Sequence, residues 1–118
     1  MDMTALENKA FAFACLGRLR QADCLTEPVL ALLTDPEACR RQFHCSSGFS
    51  VLLEVPAGCG EDELRRLCHT GAKRRYYQER FRVGAREFVV VNHWYGPGRA
   101  MPDNRTPFLA WVEALTGR

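Results

Sequence analysis

Apolar side chains recur at Leu6, Ala10, Phe13, Leu16 and Leu19 with small or polar residues between them, the spacing that lays one face of an α-helix on a core. Thr4 precedes Glu7 by three positions, a capping-box arrangement, so a first helix is expected to run to about Arg20. In "TEPVLALL", Thr26 stands as a cap and Pro28 sits in the first turn, where its missing N–H costs nothing, which predicts a helix of about two turns. "TDPEACRRQF" restarts the pattern, with Asp35 capping and Pro36 at the first helical position. Cys39 and Phe43 then face inward and Glu37, Arg40 and Arg41 outward.

After "HCSSG" the pattern shortens. "FSVLLEV", bounded by Gly48 and Pro56, is rich in branched apolar residues and predicts a largely buried strand. "AGCG" turns the chain into "EDELRRLCHTG", where Glu61, Asp62 and Glu63 precede Arg65 and Arg66 in the order the helix dipole favours, with Gly71 as the stop. The final element, "TPFLAWVEALTG", carries Thr106 as cap and Pro107 in the first turn. Phe108, Trp111, Val112 and Leu115 share one face and Gly117 ends it.

Between those two helices lies "KRRYYQERFRVGAREFVVVNHWY", residues 73–95. Gly84-Ala85 between two strand-like runs fits a two-residue type II′ turn. Val83 is then opposite Arg86, Arg82 opposite Glu87 and Phe81 opposite Phe88, and continued pairing sets Gln78 against Val91 and Tyr76 against His93. Alternation gathers Tyr77, Phe81, Val83, Phe88, Val90 and Trp94 on a core face. The other face gathers Arg74, Tyr76, Arg80 and Arg82 beside His93 and Tyr95. Guanidinium forks interleaved with flat rings suit a nucleic-acid strand, phosphates taking the cations and bases stacking on the rings. The competing reading pairs Arg82 with Glu87 across the strands, covers the valines with a helix and leaves the remaining cations as a solvated coat.

The order of elements gives an α+β fold: N-terminal helices, a small antiparallel sheet containing a β-hairpin at about 76–95, and a C-terminal helix packed on the sheet. A winged-helix-like arrangement is the nearest alternative, because the helix pair at 28–33 and 36–43 could present Arg40, Arg41 and Gln42 to a major groove with the hairpin as wing. At 118 residues and 47% hydrophobic content, residues 1–118 are expected to form one domain with a real core. Acidic Asp2, the short run "AFAFACLG" and the lack of a stretch of about 18–20 apolar residues predict a cytoplasmic protein with no signal peptide and no membrane span.

Six cysteines (Cys15, Cys24, Cys39, Cys45, Cys59 and Cys68) in such a chain read as reduced, mostly buried thiols. Cys39, His44, Cys45, Cys59, Cys68 and His69 could together supply four zinc ligands, but neither "CRRQFHC" nor "CGEDELRRLCH" has a zinc-site spacing, so no metal and no cofactor are expected.

Charge changes the picture most. The chain carries +2 overall, yet residues 1–60 hold five Lys/Arg against seven Asp/Glu, and residues 61–118 eleven against seven. From Arg65 to Arg86 there are eight cations and Glu79 alone as an acid. Such clustering points to an anionic partner, and fourteen Arg against two Lys suits bidentate phosphate contacts. The expectation is a non-enzymatic nucleic-acid-binding domain using Arg74, Tyr76, Arg80, Arg82, His93 and Tyr95. The alternative is a protein-interaction module that docks an acidic partner or homodimerises through an edge strand. Catalysis by His93 as a general base would need a carboxylate brought from elsewhere, since "NHWYGPGR" holds none.

Overall fold

In a computed structural model that describes residues 3–117, a 3₁₀ turn (Met3–Ala5) precedes α1 (Asn8–Gln21), α2 (Glu27–Leu33) and α3 (Pro36–Phe43). There follow β1 (Leu52–Val55), α4 (Glu61–Cys68), the two-residue strands β2 (His69–Thr70) and β3 (Lys73–Arg74), β4 (Phe81–Val83), β5 (Arg86–Val90) and α5 (Arg105–Thr116). The fold is α+β, with a three-stranded antiparallel sheet in the order β1-β5-β4 and a separate β2-β3 pair.

Local chemistry sets most boundaries where expected. Asp35 caps α3, its Oδ1 accepting from the N–H groups of Glu37 (3.0 Å) and Ala38 (3.4 Å), and His44 ends that helix at φ 61°. The start of α1 lies beyond the Thr4–Glu7 pair. The 3₁₀ turn occupies that stretch, the helix begins at Asn8, and Glu7 stands at the N-cap without a side-chain bond. Phe11, Ala12, Cys15, Leu16 and Leu19 are the buried residues of α1, while Ala10 is exposed, so the inward face is rotated from the expected stripe. At α5 the expected Thr106 cap is replaced: Asn104 takes the cap position, and Asp103 accepts from the Thr106 N–H instead.

The β4–β5 hairpin has the expected register at its tip, with Phe81 opposite Phe88, Arg82 opposite Glu87 and Val83 opposite Arg86. Gly84 holds φ 59°, the positive value a type II′ turn requires at its first position. Further from the tip the expectation fails. Tyr76 bridges Val91, not His93, and the Tyr77 N–H donates to the Val90 carbonyl. Residues 76–81 take five steps where 88–91 take three, so a two-residue bulge displaces everything before Phe81.

β5 is central, and Val89, Val90 and Val91 are all buried. Successive residues point to opposite faces, so both sides of this strand are covered. On one side lies an aromatic cluster. The Phe108 ring of α5 sits 5.0 Å from Trp94, 5.1 Å from Phe43 and 6.4 Å from Phe11, and α5 packs against α1 and α3 over the sheet. On the other side the start of α4 is tied to the hairpin, Arg80 bonding both the Cys59 carbonyl and Glu61. A winged-helix arrangement finds no support. The hairpin contributes the middle strand of the sheet and does not stand off as a wing, and α2 has only seven residues.

All six cysteines are free thiols, five of them buried and Cys24 partly so. Among the described residues no helix is long and apolar enough to cross a membrane.

Candidate nucleic-acid interface

The bulge decides where the six sequence candidates fall. Tyr76 is carried into the core, 5% exposed, where its hydroxyl donates to the Ser50 carbonyl (3.1 Å) and accepts from the Ser50 N–H (3.2 Å). Its ring therefore offers no stacking face, a correction to the expected basic-aromatic surface. Tyr76→Phe should cost about 1–3 kcal/mol in urea denaturation, because the buried Ser50 N–H loses its partner. The same variant should leave nucleic-acid affinity unchanged by anisotropy.

Arg80 and Arg82 lie at the hairpin, but their charge is spent locally. Arg82 pairs with Glu87 at 2.5 Å, and Arg80 reaches Glu87 at 3.3 Å and Glu61 at 3.2 Å. Arg86 is clasped by Glu54 (2.8 Å) and Glu27 (2.9 Å). Three guanidiniums thus meet four carboxylates. The Arg82 hydrogen bond holds the Glu87 carboxyl below the usual carboxylate range, so this pairing persists at neutral pH. The hairpin follows the ion-paired reading of the sequence.

Arg74 belongs to a different group. Between Leu64 and Arg75 the chain holds Arg65, Arg66, Lys73, Arg74 and Arg75 and no Asp or Glu. Among the described residues none of these five makes a salt bridge. The fold gathers them. α4 carries the first two in its last turn. The β2–β3 ladder folds the others back by pairing His69 with Arg74 and Thr70 with Lys73 about Gly71, which holds φ 61°. The Arg75 N–H returns to the Cys68 carbonyl at 2.7 Å. Arg65, Arg66 and His69 surround an open depression of about 310 Å³. Arg65 and Arg66 also suit the carbonyl end of their helix, but that account does not reach Lys73 or Arg74, which are exposed outside any helix.

No family model, curated protein or solved structure matches this chain. Its chemistry must be read from its own residues.

His93 borders this cationic surface. Arg75 Nη1 lies 3.2 Å from His93 Nε2, so a neutral imidazole accepts from the guanidinium, and Phe49 receives both: Arg75 over its face at 5.0 Å and His93 edge-on at 5.1 Å. The geometry supplies a cation where a general base would need an orienting carboxylate. Burial, then the charges of Arg75 and Lys73, push the His93 pKa down. A folded-state pKa below the unfolded one means the unfolded chain binds the extra proton. This contribution to stability is present above the ordinary imidazole range and is lost as pH falls through it toward the depressed value. Urea midpoints should therefore fall as pH drops from 7 to 5, and His93→Gln should flatten that slope. Tyr95, the sixth candidate, is half-buried at the start of the loop before α5 and lies with Met101 and Pro102 around a separate concavity.

Arg65, Arg66, Lys73 and Arg75 lie outside the six sequence candidates, which include the ion-paired Arg80 and Arg82. The available signal was the spacing of acids: Glu79 and Glu87 flank the hairpin arginines, and none interrupts residues 64–75.

Proposed function

We propose that the chain binds nucleic acid through the cationic surface of α4, β2 and β3, with Arg65, Arg66, Lys73, Arg74 and Arg75 holding the phosphates. The observation that supports it is the set of five neighbouring cations without a carboxylate partner, beside a hairpin whose arginines are fully matched. Like charges crowded in this way raise the energy of the free surface. A polyanion relieves that repulsion and releases its own counterions. Guanidinium forks take phosphate oxygens two at a time, which fixes the register of the backbone without reading sequence.

The test is fluorescence anisotropy with labelled single-stranded DNA, duplex DNA and RNA, beginning at low salt. Binding that weakens steeply as salt rises supports the reading. No binding to any of the three at low salt overturns it and leaves an acidic protein partner or self-association, which pull-down and a concentration-dependent mass would register.

A further inference from the structure

Tyr95 lines a mainly apolar concavity, a space of about 490 Å³ between the turn after α3 and the loop of residues 95–104. That volume is within the roughly 300–1,000 Å³ range of small-ligand pockets. Its walls are the Tyr95 ring, Cys45, Met101 and Pro102. Met101 is 43% exposed, one of two large apolar side chains left open to solvent among the described residues.

Polar groups converge on the same space. His44, Ser46 and Ser47 line it, and among the described residues neither their side chains nor the Tyr95 hydroxyl makes a hydrogen bond. Arg40 stands at the edge with Nε and Nη2 on Glu37, leaving Nη1 for a ligand. The loop is pinned at its neck. The Tyr95 N–H donates to Asn104 Oδ1 at 2.8 Å, Asn104 Nδ2 donates to the His93 carbonyl at 2.9 Å, and Asn104 is 1% exposed. The Tyr95 wall is therefore held in place, while Met101 and Pro102 ride on the exposed part of the loop.

A short stretch of chain, residues 46–49, links the pocket wall to the cationic surface. The Phe49 N–H closes a turn on the Ser46 carbonyl at 3.2 Å, and the Phe49 ring carries the Arg75 guanidinium on its face. An apolar concavity with a tyrosine in its lining and free donors and acceptors beside it, linked through Phe49 to Arg75, suits a base still attached to its backbone. We propose that this pocket takes one unpaired nucleobase of a single strand whose phosphates lie along Arg65, Arg66, Lys73, Arg74 and Arg75. The proposal rests on the nucleic-acid reading of that surface. A duplex keeps its bases stacked and paired, so it can use the cations and not the pocket.

The experiment compares a single strand carrying 2-aminopurine with the duplex of the same sequence, and follows the methionine methyl signals by NMR as adenosine 5′-monophosphate is added. The single strand should bind about 5- to 150-fold more tightly than the duplex, the range that one base–aromatic stack of about 1–3 kcal/mol supplies. Its 2-aminopurine emission should be quenched on binding. Tyr95→Leu and Met101→Ala should bring the single strand down to duplex affinity and, adding no charge, leave duplex affinity unchanged. Met101 is exposed, so Met101→Ala keeps the test valid if Tyr95→Leu unfolds. The mononucleotide should shift the Met101 methyl and not that of Met3. Equal affinity for both forms with an unshifted Met101 methyl overturns the pocket and leaves the cationic surface standing. No polymer binding at low salt overturns both.

Discussion

Phe108→Ala should lower the free energy of unfolding by about 3–5 kcal/mol, the range for removing a fully buried aromatic ring. Phe108 is 0% exposed and lies within 5–6.5 Å of four other rings: Trp94, Phe43, Trp111 and Phe11. Those rings come from α1, α3, α5 and the segment after β5, so no single element can move to fill the cavity. Each loses edge or stacking contact with the missing ring, at about 0.5–1.5 kcal/mol per pair beyond the area buried. A domain of this size is stable by about 5–15 kcal/mol in all, so the variant should sit near the edge of folding, with Tm lowered by about 10–20 °C. Leu115→Ala on the same helix, where the side chain is 40% exposed, should stay within about 0.5 kcal/mol. A loss below about 1 kcal/mol for Phe108→Ala would mean that this cluster does not hold the helices to the sheet.

The second large effect concerns binding. Replacing Arg65, Arg66, Lys73, Arg74 and Arg75 with alanine should weaken nucleic-acid binding by about 10³-fold or more at 0.1 M salt, since each phosphate contact contributes through counterion release. Arg80→Ala with Arg82→Ala removes two positive charges from the same sequence window, yet it should change affinity only a few-fold. Those charges are matched by Glu87 and Glu61, and exposed pairs of this kind are worth about 0–1 kcal/mol to the fold. Arg75 stacks on Phe49 and contacts His93, so its loss could disturb packing. A variant that keeps Arg75 and changes the other four, all without ion pairs, separates charge from structure. If the hairpin variant abolishes binding and the α4–β2–β3 variant does not, the site has been assigned to the wrong cations.

The tip of the β4–β5 hairpin was legible because one local feature, Gly84-Ala85 between alternating residues, fixes both turn and register. The cap of α3 was legible for the same reason, since Asp35 and Pro36 act within one turn. What failed depends on distant partners. The bulge at 77–80 inserts two residues without any Gly or Pro to announce it, and that slip takes Tyr76 from the expected surface to Ser50 in the core. The β2–β3 pair has two residues per strand, too short for any period to show, and Gly71 reads equally well as a helix stop. The cation cluster was visible as a run of charge. Which members remained free required knowing that Glu27, Glu54 and Glu61, far off in sequence, close on Arg80 and Arg86.

The most direct test is the slope of log K against log salt concentration for wild type and the five-alanine variant on the same labelled strand. Five phosphate contacts predict a wild-type slope of about −3.5 on single strands and about −4.5 on duplex, falling close to zero in the variant. A variant slope equal to that of wild type, with both proteins folded, would show that the phosphates lie elsewhere and would contradict the assignment.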